Sequence, residues 1–86
     1  MQLAHGEVRK IGIEVKSQLD QDFLIETADF NISKITGELV EQGTPTIDNH
    51  KIIALFSAAE CGNFYCEFTY RIGPEILKAR IYVEVV

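Results

Sequence analysis

From Leu77 to Val85 apolar and polar residues alternate without a break. Leu77, Ala79, Ile81, Val83 and Val85 are apolar, and Lys78, Arg80, Tyr82 and Glu84 stand between them. Successive side chains of a strand point to opposite faces, so this period of two predicts a strand with one face in a core and the other in water. Such a strand cannot bury its apolar face alone. It demands neighbours, and a one-sided pattern favours antiparallel ones. The same alternation runs through Phe64 to Tyr70, with Phe64, Cys66, Phe68 and Tyr70 on one side, and through Ile11 to Lys16.

Three further strands are expected on less regular patterns. Leu24 to Ser33 places Ala28, Phe30 and Ile32 on one face, and a bulge near Glu26 or Thr27 would bring Ile25 to the same side. Gly37 to Gly43 is short and bounded by glycines. Lys51 to Ser57 is a nearly continuous apolar run whose β-branched and aromatic residues favour a strand buried on both faces over a short core helix. The connections carry turn chemistry: Ser17 to Asp22 is polar, Thr44-Pro45 and Asp48-Asn49-His50 interrupt the middle, Glu60 to Asn63 precedes the aromatic strand, and Gly73-Pro74-Glu75 joins the last two strands as a hairpin. A strand about every ten residues, with no helical period, predicts one antiparallel sandwich of six or seven strands over residues 1–86, a small open barrel being the alternative. Met1 to Gly6 is expected to be a loose end. The core is expected to hold Ile11, Ile13, Val15, Ala28, Phe30, Ile32, Leu39, Phe64, Cys66, Phe68, Leu77, Ala79, Ile81 and Val83.

The chain has 86 residues, enough for a single core but not for a catalytic domain with a regulatory one. Its hydrophobic content of 47% supplies the apolar surface that a disordered tail lacks. A net charge of -5 argues against a nucleic-acid binder, whose affinity comes from neutralising phosphates. The nearest thing to a basic patch is Arg71, Lys78 and Arg80, which reads as a solvated strand face. No run of about 20 apolar residues predicts a membrane helix. The first residues carry no basic, apolar leader, so no signal peptide is expected, and the chain is expected to stay in a cytoplasm or be assembled into a particle there.

Catalytic chemistry finds little to work with. No phosphate-binding loop, dinucleotide fingerprint, zinc-protease motif or serine-hydrolase elbow is present. A cysteine nucleophile would need a base, and His5 and His50 lie far from Cys61 and Cys66 in sequence. Two thiols without fitting histidines do not make a zinc site. Cys66 is expected buried and inert, Cys61 in a turn, and both reduced. The carboxylate pairs Asp20 with Asp22 and Glu38 with Glu41 read as solubilising charges, too few in ligands for calcium. No enzyme, cofactor or metal is therefore expected.

Gly62-Asn63-Phe64-Tyr65-Cys66 resembles the start of the penultimate strand in immunoglobulin-like sandwiches, where the form is Gly-x-Tyr-x-Cys. Here Phe64 takes the tyrosine position. The strand-C tryptophan and an upstream cysteine partner are missing, so the resemblance implies an immunoglobulin-like sandwich without its disulfide. The wider order resembles the small immunoglobulin-like modules of phage and prophage structural proteins of Gram-positive bacteria. That order runs through Ile25 to Phe30, the glycine-bounded hairpin, Gly62 to Tyr65, and Tyr70 to Glu75 with its final strand. This resemblance implies a baseplate, tail or fibre component whose partners are proteins, itself or other structural subunits, with no common site to carry over. The alternative is a carbohydrate- or surface-binding module. For either, Tyr65 and Tyr82 are the candidate binding residues, as aromatics on the outward face of their strands.

Overall fold

The computed structural model describes residues 1–16 and 23–86. The polar turn expected over Ser17 to Asp22, with the Asp20 and Asp22 pair, lies outside the described residues. Eight strands are found among the described residues and no helix, so no helix is long and apolar enough to cross a membrane. They are β1 (Gln2–Leu3), β2 (Val8–Glu14), β3 (Thr27–Lys34), β4 (Leu39–Gly43), β5 (Thr46–Asp48), β6 (Lys51–Ser57), β7 (Gly62–Ile72) and β8 (Glu75–Val85). They form two sheets, ordered β1-β8-β7-β3-β4 and β2-β6-β5.

All pairings are antiparallel except β1 with β8, where Gln2 faces Glu84 and Leu3 faces Val85 in parallel. The larger sheet is therefore mixed, not purely antiparallel as expected. The reason lies in the first residues. The expected loose end is pinned: Leu3 is 1% exposed and belongs to the core. The chain then crosses to the smaller sheet at Ala4 to Glu7, where the Gly6 N–H donates to the Ala58 carbonyl and the Ala58 N–H to the Glu7 carbonyl.

The alternations translate directly into packing. Phe64, Cys66 and Phe68 of β7, Ala28, Phe30 and Ile32 of β3, and Val83 and Val85 of β8 are buried, and Ile11, Ile52, Ala54 and Phe56 of the smaller sheet face them. Ile25 is buried with Ala28, so both share the core side despite their three-residue spacing. Leu77, Ala79 and Ile81 are only half-buried, as are Ile13 and Val15.

Three further points differ from what the sequence leads one to expect. Leu39 is 53% exposed, outside the core. A register shift between Ile32 and Ser33 leaves Val40 unpaired and sets Leu39 opposite Ser33, which turns it to the outer face. β6 is not buried on both sides: Ile52, Ala54 and Phe56 face in, while Leu55 is 59% exposed, because among the described residues the smaller sheet is covered on one face only. The three-residue strand β5 was not anticipated, as its Thr46-Ile47-Asp48 lies hidden between Pro45 and the Asn49-His50 turn.

Two glycines set local geometry. Gly73 adopts a φ of 57° and precedes Pro74, whose ring fixes φ near -65°, the combination of a type II′ hairpin turn. Gly12 faces Ile53 across β2 and β6, and a Cβ there would lie 2.7 Å from the Ile52 carbonyl oxygen and 3.2 Å from Ile53 Cγ1. Glycine thus lets the two backbones approach while the Ile53 side chain lies over it.

Candidate functional site

The two-residue loop at Gly73-Pro74 fixes the register of β7 against β8, starting from the Ile72–Glu75 pair. Counting back from that pair puts Tyr65 opposite Tyr82, Glu67 opposite Arg80, Thr69 opposite Lys78 and Asn63 opposite Glu84. Their neighbours Phe64, Cys66, Phe68 and Val83 face inward, so this whole set shares the outer face of the larger sheet. β3 and β4 extend the rows: Ser33 and Leu39 continue the tyrosine row, and Asn31 and Gln42 continue the Glu67–Arg80 row.

The two tyrosine rings meet edge to face, with centroids 5.8 Å apart and planes at 66°. The Arg80 guanidinium carbon stands 5.0 Å from the Tyr65 ring centroid. Arg80 Nη2 donates to Glu67 Oε2 at 3.2 Å, and Lys78 Nζ lies 3.7 Å from Glu67 Oε1. The Tyr82 hydroxyl donates to Asn63 Oδ1 at 2.7 Å. Tyr82 is 43% exposed, whereas Tyr65 is half-buried beneath Arg80. Exposed ion pairs contribute about 0–1 kcal/mol, cation–π contacts at exposed sites about 0.5–1, and cross-strand pairs about 0.2–1. Each of these contacts is worth less to stability than one buried phenyl ring. Their main effect is to hold two tyrosines, a cation and a carboxylate in a fixed array facing water.

Arg71, Lys78 and Arg80, read from the sequence as a solvated strand face, are exposed and stand beside carboxylates. Lys78 and Arg80 share Glu67, and Arg71 Nε lies 3.8 Å from Glu26. Glu38 of the other acidic pair lies 3.5 Å from Lys34 and does not face Glu41 as a site. The histidines meet main-chain oxygens: His5 Nε2 is 3.0 Å from the Ala59 carbonyl, and His50 Nε2 is 3.2 Å from that of Phe23, with the two rings stacked at 4.0 Å. Among the described residues no three His, Cys, Asp or Glu side chains gather as a metal set. An open groove lined by Lys10, Phe30, Glu41, Pro45, Ala54 and Leu55 draws on both sheets around the Thr44-Pro45 connection and does not include the tyrosines.

Cys61 is exposed and Cys66 buried, as expected, and both are free. Burial, with a smaller contribution from the charge of Glu41, pushes the Cys66 thiol from 9.0 up to about 11. Native protein should therefore react with a maleimide rapidly at Cys61 and slowly at Cys66. Since the native state holds this proton longer than the unfolded chain, Cys66 favours folding below about pH 9, and that contribution fades as pH rises from there through about 11. Denaturant titrations at pH 7 to 11 should show falling stability over that window, a fall that Cys66→Ala lessens between about pH 9 and 11. Equal, fast labelling of both thiols would contradict the burial.

Sequence reasoning placed both tyrosines on one outer face but missed their bracing by Arg80, Glu67 and Asn63. The signal was present in the Gly73-Pro74 turn, from which every pair can be counted. It also missed that β1 covers part of the β8 edge. The N-terminal ammonium donates to the Tyr82 carbonyl at 3.1 Å, the Glu84 N–H to the Met1 carbonyl at 2.9 Å, and the Val86 N–H to the Leu3 carbonyl at 2.9 Å. No family model, curated protein or solved structure matches the chain.

Proposed function

We propose that this is an immunoglobulin-like sandwich acting as a non-catalytic assembly or protein-interaction module, through the outer face of its larger sheet. The strand order supports the fold: β8-β7-β3-β4 and β2-β6-β5 follow the G-F-C-C′ and B-E-D sequence of such sandwiches. Cys66 takes the position of the penultimate-strand cysteine without a partner, and Phe30 brings the large ring of the third strand to the core. Within this class, the resemblance to phage and prophage modules points to a structural component of a virion.

The observation that carries the functional reading is the braced Tyr65–Tyr82 pair with Arg80 and Glu67 on an exposed sheet face. Tyrosine and arginine dominate interface energetics, and a preformed array loses little side-chain freedom on binding. A glycan-binding reading draws on the amides Asn31 and Gln42, in the Glu67–Arg80 row next to the tyrosine row. It is the weaker reading, because Arg80 covers the Tyr65 ring and the two rings stand at 66°, so they offer no flat platform for a sugar.

The test is a Tyr65→Ser, Tyr82→Ser double variant. Wild-type protein is expected to self-associate in light scattering at rising concentration, or to enrich ligands from a displayed peptide library. The variant should lose that behaviour while still melting cooperatively. Unchanged behaviour would remove this face, and binding on a glycan array that the variant loses would establish the sugar reading instead.

A further inference from the structure

β8 is eleven residues long, but β1 pairs with only its last two paired positions. The groups that meet β1 belong to Tyr82, Glu84 and Val86. In an antiparallel ladder successive residues turn their N–H and C=O alternately toward and away from the partner strand. The N–H and C=O of Ile76, Lys78 and Arg80 therefore point out along the same edge, where no described strand pairs with them. Glu75, Ile76, Lys78 and Arg80 are exposed, Ile76 to 68%. On the inner side of this stretch, Leu77, Ala79 and Ile81 remain half-buried, so the core is left thinly covered along it.

We propose that this stretch of β8, from Ile76 to Arg80, takes up an extended segment of a protein partner in which acidic and apolar residues alternate, adding a strand in line with β1. The inference rests on the interaction-module reading and specifies the ligand. Strand addition draws affinity from the main chain and specificity from alternate side chains. Acidic side chains on the outer side would stand beside Lys78 and Arg80, two cations that share the single carboxylate of Glu67 among the described residues. Apolar ones on the inner side would cover Leu77, Ala79 and Ile81. A second copy fits poorly: an antiparallel β8–β8 pairing brings two sets of Lys78 and Arg80 together, and like charges facing across strands destabilise the pair. Cations at an edge thus turn away a like edge and admit an acidic one.

The experiment uses three synthetic octapeptides: alternating glutamate and valine, alternating lysine and valine, and the glutamate peptide with N-methylated valines. The full chain is titrated with each while amide exchange is followed. The glutamate peptide is expected to bind, more weakly as salt rises, and to slow exchange at Ile76, Lys78 and Arg80. The lysine and N-methylated peptides should do neither. Lys78→Pro removes one outward N–H without touching the bonds to β7, and should weaken binding about tenfold. Since that variant can also disturb folding, exchange in the wild type decides independently. No slowing at those three amides, or equal binding of both charged peptides, overturns the proposal. Slowing that grows with protein concentration in the absence of peptide overturns the choice of occupant. Should the edge fail this test while the tyrosine variant still loses binding, the strand-addition inference falls and the reading of the face stands.

Discussion

Phe68→Ala is expected to destabilise the domain by about 3–5 kcal/mol, from lost burial and the cavity left behind. Phe68 is 0% exposed and the largest fully buried side chain. It stands at the middle of β7, with Phe30 of β3 on one side and Ala79 of β8 on the other in the same inward row. Ala79 is small, so the β8 side of the row offers nothing to fill the space. Domains of this kind are stable by only about 5–15 kcal/mol, so the variant should unfold at far lower urea concentration. The neighbouring Thr69→Ala is the control. Thr69 faces outward between Asp29 and Lys78, and its loss should cost under about 1 kcal/mol. Similar midpoints for the two variants would mean that β7 has been assigned the wrong face.

The parts of the fold that could be read in advance are those where one period governs a long stretch. β7 and β8 are eleven residues each, and their alternation fixed which residues face the core. Elements that failed the reading are those whose exposure is set by something distant in sequence. Leu39 is apolar and follows a glycine turn, but a register shift in its pairing with β3 decides its face, and no local pattern reveals it. Leu55 belongs to an apolar run, yet the second layer covers only one side of β6. The tyrosine pair was legible as two outward aromatics. Its bracing depends on Glu67 and Arg80 meeting across a hairpin, a relation between strands and not within one.

The first residues make the same point most sharply, because Met1 to Gly6 has no strand pattern of its own and yet supplies Leu3 to the core. Leu3→Ala is expected to cost about 2–5 kcal/mol, against under about 1 kcal/mol for Leu55→Ala on the exposed side of β6. Two paired residues are too few to form a strand by themselves, so the anchoring side chain holds β1 in place. Its loss should free the main-chain bonds that Met1 and Leu3 make with the Glu84 and Val86 N–H groups. Those two amides should then exchange at the rate of the Ile76, Lys78 and Arg80 amides, which no described strand pairs, while the amides of β7 stay protected up to global unfolding. The readout is amide exchange measured alongside denaturant melts. A neutral Leu3→Ala with Glu84 and Val86 still protected would show that the backbone pairing, and not the buried leucine, holds this strand. With β1 released, the open edge of β8 would run from Ile76 to Val86. If β1 and an incoming strand occupy the same line, the variant should bind the alternating glutamate–valine peptide over a longer stretch, with slowed exchange spreading to Glu84.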